Sequence, residues 1–260
     1  LKHIAGGRDE DKNPVALRFQ KDNYIGQGKV KISQTFMNHL QATNDPRIAV
    51  FCSLKDGNAD PSIQKGLPNG YDKNTISTNS DYTGKLEDYS NFNTNVILRE
   101  DAPTLLLMPS ESKLLQAEAA LRNWVAGDPE ALYKEAICLS MQEQKEAYGV
   151  SISEQQVNDY LAQNLFANAA SQEEKLEVLG NEYWVTTFMN GYESYANWRR
   201  CGYPKLTPTH YAGNESNGQI PRRLPYAIDE YTINKANVEQ AVQQQGADNL
   251  NTRIWWDVAK

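Results

Sequence analysis

A short segment near the middle of the chain, Gly127-Asp128-Pro129, separates two stretches that have helical periodicity. Before it, Leu114, Ala117 and Leu121 recur at spacings of three and four, which predicts one apolar face on a helix from about Ser112 to Val125. A glycine that ends one helix and an Asp-Pro pair that begins the next are typical of a tight helix–helix turn. The sequence therefore predicts a helical hairpin of the tetratricopeptide type, which needs further repeats to bury its outer face.

Helix signals continue after this hairpin. The patterns Ser151-Ile152-Ser153-Glu154 and Ser171-Gln172-Glu173-Glu174 both match the capping box, in which a serine and the acidic residue three places later satisfy each other's backbone donors. The helix that follows the second box is predicted to run from about Gln172 through Arg200, and a last helix is predicted over Lys235 to Gln245. The fold class is therefore predicted to be mainly α.

The first part of the chain has a different character. Turn-forming residues are frequent before residue 95, and only Arg47 to Leu54 and Asn95 to Leu98 favour strands. We therefore divide the chain into a loop-rich segment with few short strands (1–108), a helical region with the hairpin (109–204), and C-terminal loops with one helix and a Trp-Trp-Asp end (205–260). All three are expected to form one unit.

Composition narrows the functional classes. The formal net charge is −7, so the chain lacks the basic field that nucleic-acid binding requires. Even the longest apolar runs, such as Leu105 to Met108, are far shorter than the roughly 18 residues needed to span a bilayer. The 3 cysteines are widely spaced and indicate neither a disulfide framework nor a zinc site. The 14 Tyr, 5 Trp and 24 Asn instead suit neutral polar ligands such as sugars or peptides.

Catalytic signatures are missing from the sequence. Gly26-Gln27-Gly28 lacks the third glycine of a dinucleotide-binding fingerprint and has Lys31 in its place. The histidines His3, His39 and His210 are far apart in loop-like surroundings, so we interpret them as solvated polar residues. No catalytic residue and no organic cofactor is predicted.

One acidic segment resembles the start of a calcium-binding loop. Asp56, Asn58 and Asp60 alternate as oxygen ligands would, but Pro61 replaces the required glycine and Leu67 replaces the bidentate glutamate. The segment is therefore not an EF-hand. An ordinary turn is favoured, and a weaker structural calcium site is the alternative.

Aromatic and amide side chains coincide in the turn-rich stretch. Tyr71, Tyr82 and Tyr89 lie where an aromatic residue cannot easily join a regular core. They predict a stacking platform for a ligand, with hydrogen bonds from Asn69 and Asn74. Packing of the loop against itself is the competing interpretation, because large loops also bury aromatics.

Several blocks in the second half of the chain occur together in a known family. They are Tyr183-Trp184, Gly191-Tyr192-Glu193, Trp198-Arg199-Arg200-Cys201-Gly202-Tyr203-Pro204, Ile220-Pro221-Arg222-Arg223-Leu224-Pro225-Tyr226 and Arg253-Ile254-Trp255-Trp256-Asp257. In this order they resemble the SusD/RagB family of surface lipoproteins. Upstream segments, including Asn44-Asp45-Pro46-Arg47, also resemble family positions, so the resemblance covers nearly the whole chain.

The resemblance implies a fold and a role. Family members are longer and begin with a lipid-modified cysteine and further tetratricopeptide helices, so this chain resembles their C-terminal part, with a loop-rich, irregular ligand-binding subdomain. The implied role is non-catalytic capture of glycans at the outer membrane of Bacteroidetes-type bacteria. The implied partner is a SusC-type TonB-dependent β-barrel transporter. Contact with the membrane would be made only by an N-terminal lipid anchor outside this chain.

The family blocks themselves are expected to serve architecture. Arginines such as Arg199, Arg222 and Arg223 are expected to stabilise the fold or to contact the transporter. The tryptophans are interpreted as core or inter-helix packing; they are Trp124, Trp184, Trp198, Trp255 and Trp256. The ligand site is therefore expected in the loops 56–92 and 207–219, and Tyr211 in the second loop joins the candidate site residues.

Three alternatives stay open at this point. Peptides, as in the RagB branch, use the same asparagine, tyrosine and backbone contacts as glycans. A glycoside hydrolase would need two carboxylates about 5 or 9 Å apart, a geometry that a sequence does not reveal. A helical scaffold would bind the transporter and no small ligand.

Overall fold

The structure, a computed structural model, describes residues 1–21, 30–163 and 165–258, except for the side chains of Gln20 and Lys21. Within these residues it is mainly helical, as predicted. The helices are α1 (Pro14–Lys21), α2 (Gln34–Ala42), α3 (Ile48–Phe51), α4 (Pro109–Leu121), α5 (Pro129–Tyr148), α6 (Glu154–Ala162), α7 (Leu165–Asn168), α8 (Gln172–Thr186), α9 (Gly191–Cys201), α10 (Glu230–Ile233) and α11 (Lys235–Gln245). The strands are β1 (Cys52–Ser53) and β2 (Asn91–Phe92).

The predicted hairpin is confirmed as α4 and α5. Asp128 caps α5, since its Oδ1 accepts a hydrogen bond of 2.9 Å from the amide of Glu130, and Pro129 is the first helical residue. Gly149 ends α5 in the left-handed conformation, with φ of 76°. The face of α4 that carries Leu114 and Ala117 is buried against α5.

The region after the hairpin differs from prediction in two places. α6 is capped by Ser153 with Gln156, two residues later than predicted, whereas Ser171 caps α8 as expected. The helix predicted from Gln172 to Arg200 is two helices. The hydroxyl of Thr187 donates to the carbonyl of Tyr183, and the side chain of Asn190 then caps α9. α9 folds back against α8, which supplies a second helix pair beside the first.

The strand predictions for the first part of the chain were largely wrong. Ile48–Phe51 is the short helix α3, and only Cys52–Ser53 of that stretch pairs, antiparallel with Asn91–Phe92. Residues 95–98 form turns in which three successive amides donate to the carbonyl of Asn93. Buried apolar residues in both segments produced the strand-like pattern, because burial alone does not distinguish a short strand from a turn or a helix. The segments 14–21 and 34–42, expected to be irregular, are helices.

A fully buried arginine connects the loop region to the helical region. Arg47 is 0% exposed and forms a two-pronged ion pair with Asp45. Its Nη1 also donates to Glu182 on α8 at 2.7 Å and to Ser140 on α5 at 2.9 Å. The second oxygen of Glu182 accepts a hydrogen bond from Tyr160 on α6. One side chain therefore ties the Asn44-Asp45-Pro46-Arg47 turn to three helices.

The family blocks near the C-terminus form ion pairs, which supports their architectural interpretation. Arg200 on α9 makes a bidentate pair with Glu118 on α4, at 2.7 and 2.6 Å. Asp257 is buried and accepts from both Arg222 and Arg253. Bidentate arginine–carboxylate pairs fix orientation as well as charge, so the first pair holds α9 to α4 and the second holds the last segment to Arg222.

The packing interpretation holds for some tryptophans and fails for others. Trp184 lies in the aromatic core and Trp256 packs against the Arg199 guanidinium, 4.8 Å from its ring centroid. Trp124 and Trp255 instead lie on the surface and are 70% and 88% exposed. Trp124 follows the end of α4, which stops at Leu121, so it does not lie on the apolar helix face.

Among the helices described, none combines the length and apolar character needed to cross a bilayer.

Candidate ligand-binding surface

The first predicted loop is closed at its base by buried polar side chains. Gln64 donates through Nε2 to the carbonyls of Asn58 and Asp60, both at 3.0 Å, and its Oε1 accepts from Ser90 at 2.7 Å. The Ser90 hydroxyl also accepts from the amide of Lys65. Because buried amide and hydroxyl groups need partners, these bonds fix the two ends of the loop side by side.

Two of the predicted site tyrosines form a pair inside this loop. Tyr89 is 0% exposed, and its hydroxyl donates to the carbonyl of Asp81 and accepts from the amide of Thr83, both at 2.9 Å. Tyr82 is half-buried and stacks on Tyr89, with ring centroids 5.9 Å apart. A buried ring cannot receive a ligand, so Tyr89 supports the loop and only Tyr82 of the pair has an accessible ring.

The other predicted residues lie where the two loops meet. The hydroxyl of Tyr211 donates to Oδ2 of Asp72 at 2.7 Å, a contact between residues 139 positions apart. Tyr71 and Tyr211 are 41% and 45% exposed. The loops 56–92 and 207–219, both predicted from sequence to carry the site, are therefore joined at one surface, which we call the two-loop surface.

Asp72 is the residue that organises this surface. Its Oδ1 accepts from the amides of Asn74 and Thr75 and from the Thr75 hydroxyl, which leaves Oδ2 for Tyr211. The Tyr211 hydroxyl and then the Thr75 hydroxyl lower the pKa of Asp72 to about 2. The Asp72 carboxylate in turn raises the pKa of Tyr211. The bond is therefore charge-assisted at any neutral or mildly acidic pH.

A glycine allows the two loops to approach closely. Gly70 has a φ of +83°, a conformation that L side chains rarely adopt. A Cβ atom at this position would lie 2.8 Å from Cβ of Thr209 in the second loop. A side chain at residue 70 would push the loops apart.

Unpaired amides complete the two-loop surface. The side chains of Asn69 and Asn74 are exposed, and neither makes a hydrogen bond within the described part of the chain. Each offers two donors and one acceptor beside Tyr71 and Asp72 in sequence. Aromatic faces together with amide groups can stack on and hydrogen-bond a neutral polar ligand. No ring contact or hydrogen bond between described residues joins the Tyr82–Tyr89 pair to Tyr71 or Tyr211.

The acidic segment suggested as a calcium site forms consecutive turns. The side-chain oxygens of Asp56, Asn58 and Asp60 each accept from the amide two residues further on. In the described residues, no group of three His, Cys, Asp or Glu side chains is placed to hold a metal ion. A calcium site there stays a prediction. Gly26-Gln27-Gly28 lies outside the described residues.

The histidines have ordinary structural surroundings. His39 packs against Trp184, with ring centroids 5.7 Å apart, and burial lowers its pKa. It is therefore partly buried, and the solvated interpretation does not describe it. His3 shares a hydrogen bond with Thr104, and the ring of His210 lies over Gly218.

Sequence reasoning missed Asp72. The only local signal is the spacing of Asp72 to Asn74 and Thr75, which is typical of a turn in which an aspartate accepts nearby amides. Nothing in that spacing indicates a partner such as Tyr211, whose loop follows the helical region in sequence. Tyr211 was proposed from its loop, and the structure supplies its contact.

Comparison with known families and structures identifies relatives of this chain. Residues 7–227 match a SusD-like family described as starch-binding and associating with the outer membrane. No curated protein matches the chain. Among solved structures, a chitin-binding protein is 29% identical, with a TM-score of 0.78 over 96% of this chain and 54% of its own length.

Two further solved structures come from named organisms. A chitin-binding SusD homologue from Flavobacterium johnsoniae is 26% identical, with a TM-score of 0.69 over 88% of this chain and 50% of its own length. A SusD homologue from Bacteroides fragilis is 26% identical, with a TM-score of 0.70 over 87% of this chain and 51% of its own length. The chain spans about half the length of these structures.

These matches decide the class of protein. The mainly α, SusD-like fold is confirmed. The family is described as starch-binding, which agrees with the prediction of a binding protein instead of an enzyme. The family match extends over most of the chain and includes the loop 56–92 and the second loop that carries Tyr211. This chain therefore belongs to the SusD-like family, whose description is starch-binding and associating with the outer membrane.

Proposed function

We propose that this chain is part of a nutrient-binding lipoprotein that captures glycans on the extracellular face of the outer membrane. The observation that carries the proposal is the two-loop surface, where Asp72 joins Tyr211 to the loop of Tyr71. Exposed tyrosine rings stack on the apolar faces of sugar rings, and the free amides of Asn69 and Asn74 suit their hydroxyl groups.

The ligand class follows from this chemistry and from the relatives. The surface offers neutral donors and acceptors in Asn69 and Asn74, and the Asp72 carboxylate beside them is already bonded to Tyr211. Neutral oligosaccharides therefore suit it better than charged ligands. Because two of the similar structures are chitin-binding proteins, oligosaccharides of N-acetylglucosamine are the first glycans to test. Peptides would use the same groups and are the second candidate.

Delivery to a transporter belongs to the same proposal. A glycan held on a shallow surface with partly exposed rings can be released to a neighbouring protein without opening a closed cavity. We propose a SusC-type TonB-dependent barrel as the recipient, with an N-terminal lipid anchor holding the complete protein at the membrane.

Replacing Tyr71 with alanine tests the site. Loss of one stacking ring should weaken binding of a chito-oligosaccharide roughly tenfold, because an aromatic contact of this kind contributes about 0.5–1.5 kcal/mol beyond its buried area. The melting temperature should not change, since Tyr71 is 41% exposed and belongs to none of the hydrophobic core clusters. Isothermal titration calorimetry measures the first quantity and differential scanning calorimetry the second.

A tyrosine elsewhere on the surface provides the matched control. Tyr192 on α9 is 93% exposed, and Tyr192→Ala should leave glycan affinity unchanged. The variant Tyr211→Phe keeps the ring and loses the bond to Asp72, so it should reduce affinity less than Tyr71→Ala. Equal affinities for Tyr71→Ala and the unaltered chain would remove Tyr71 from the site. Binding of peptides alone would change the ligand class.

A further inference from the structure

Two adjacent tryptophans at the C-terminal end differ in how far they are exposed, and the less exposed of them, Trp256, is 39% exposed. Trp256 covers the guanidinium of Arg199, and so has the packing role that its sequence block suggested. Trp255 is 88% exposed and makes no ring contact within the described residues. A tryptophan ring exposed to water loses the favourable free energy of burying its large apolar surface. Exposed rings of this kind occur at sites where a ligand covers them.

Trp255 lies at the edge of a cavity of about 350 Å³. The cavity is lined by two aromatic residues, two amides, an arginine and one small residue, which are Tyr226, Trp255, Gln244, Gln245, Arg253 and Ala241. Its volume is near the lower end of the range for small-molecule sites, which suits a short ligand. A larger cavity of about 550 Å³ beside α6 has no aromatic residue in its lining.

The walls of this cavity are fixed by contacts outside it. Arg223 lies over the Tyr226 ring at 4.8 Å and pairs with Asp248, which also accepts from the amide of Tyr226. Asp257 accepts from Nη1 of Arg253 at 2.8 Å. The positions of Tyr226 and Arg253 are therefore set before any ligand arrives, which reduces the entropy lost on binding.

Polar groups in the cavity are available for hydrogen bonds. Gln244 and Gln245 are in the last turn of α11, and their side chains make no hydrogen bond to another described residue. The hydrogen bonds of the Arg253 side chain to Asp257 and Val258 are all donated by Nη1. Its Nε and Nη2 have no acceptor among the described residues. The Asp257 carboxylate is shared between Arg253 and Arg222, so it orients Arg253 without using its remaining donors.

We propose that this cavity is a second saccharide-binding site, in which a sugar ring stacks on Trp255 and the amides of Gln244 and Gln245 hydrogen-bond its hydroxyl groups. The site is separate from the two-loop surface, with which it shares no residue. The choice of a saccharide rests on the proposed function, whereas the cavity and its free groups do not. Two sites on one chain would let a single long glycan be held at two points, which strengthens binding without new contacts.

The test begins with a chain in which the first site is disabled. The variant Tyr71→Ala, Tyr211→Ala is titrated with chitotriose and maltotriose by calorimetry, while the indole resonances are followed by NMR. We expect residual saturable binding that shifts the indole resonance of Trp255. Adding Trp255→Ala should weaken that residual binding at least tenfold.

An exposed tryptophan in another place serves as control. Trp124 is 70% exposed beyond the end of α4, and adding Trp124→Ala should leave the residual binding unchanged. The variant Gln244→Ala, Gln245→Ala is a second test that keeps Trp255, and it should weaken the residual binding by a smaller factor. Circular dichroism confirms that each variant is folded.

The possible results separate this inference from the proposed function. If the Tyr71→Ala, Tyr211→Ala variant binds neither trisaccharide although the unaltered chain does, the second site is overturned and the proposed function stands. The same holds if residual binding is insensitive to Trp255→Ala. If the unaltered chain binds neither these sugars nor longer glycans, both are overturned.

Discussion

Replacing Arg47 with methionine should lower the free energy of unfolding by about 3–5 kcal/mol, because it leaves two buried carboxylates without their partner. The side chains of Asp45 and Glu182 are 0% and 2% exposed, and both pair with the guanidinium. Methionine has a similar length, so the loss of charge dominates over the loss of volume. Urea denaturation followed by circular dichroism measures the change.

The control for this variant is an arginine with a solvated ion pair. Arg8 is bonded to Glu10 at 2.9 Å, with 76% of its side chain exposed, and Arg8→Met should change stability by less than about 0.5 kcal/mol. Adding Asp45→Asn and Glu182→Gln to Arg47→Met should restore part of the lost stability, since those changes remove the unpaired charges. If Arg47→Met were as mild as Arg8→Met, the buried ion network would not hold the turn to the helices.

Replacing Glu111 with glutamine should stabilise the protein at pH 8 and have little effect at pH 5. Glu111 on α4 is 2% exposed, and its Oε2 has no hydrogen-bond partner. Burial, with smaller contributions from Glu193 and Glu143, raises the pKa of Glu111 to about 7, against a partly opposing hydrogen bond from the amide of Met108.

The sign of the pH dependence follows from proton binding. Between about pH 4.5 and 7 the folded chain holds a proton at Glu111 that the unfolded chain releases, so stability falls as the pH rises through this window. Above pH 7 the accumulated penalty is about 3 kcal/mol, which Glu111→Gln should remove. Glu143 has a pKa raised by burial and contributes in the same direction.

Denaturant titrations at pH 5, 6, 7 and 8 test this expectation. Glu215, which is exposed in the loop 207–219, provides the control, and Glu215→Gln should follow the pH profile of the unaltered chain. A Glu111→Gln profile parallel to that of the unaltered chain would show that Glu111 is charged without penalty. In that case the unpartnered oxygen would have to be solvated.

The helix ends could be predicted where the capping contacts lie within a few residues of each other in sequence. Asp128 and Ser171 cap helices through atoms within three residues of themselves, so their positions follow from a short stretch of sequence. The break between α8 and α9 was missed because Thr187 and Asn190 end one helix and start another without a glycine or proline between them. The strand predictions failed because the pattern of apolar residues buried in turns resembles that of a short strand.

The candidate site was predictable as a composition and not as an arrangement. Asparagine and tyrosine in a turn-rich stretch drew attention to the loop 56–92, but the pattern does not show which ring is buried. Tyr89 is buried by hydrogen bonds to Asp81 and Thr83, which any of the loop tyrosines could have made. Trp255 and Trp256 are neighbours in sequence but are 88% and 39% exposed, so residue type and motif alone could not assign their roles.

The bond between Asp72 and Tyr211 makes the two-loop surface a property of the whole fold. The two loops are separated in sequence by the entire helical region, so the surface exists only while that region is folded. A ligand that binds there stabilises the folded chain against global unfolding, by an amount that grows with its concentration. Neither loop excised as a peptide would retain the surface. Under the proposed function, a rise in the melting temperature of the intact chain would identify a glycan that binds there.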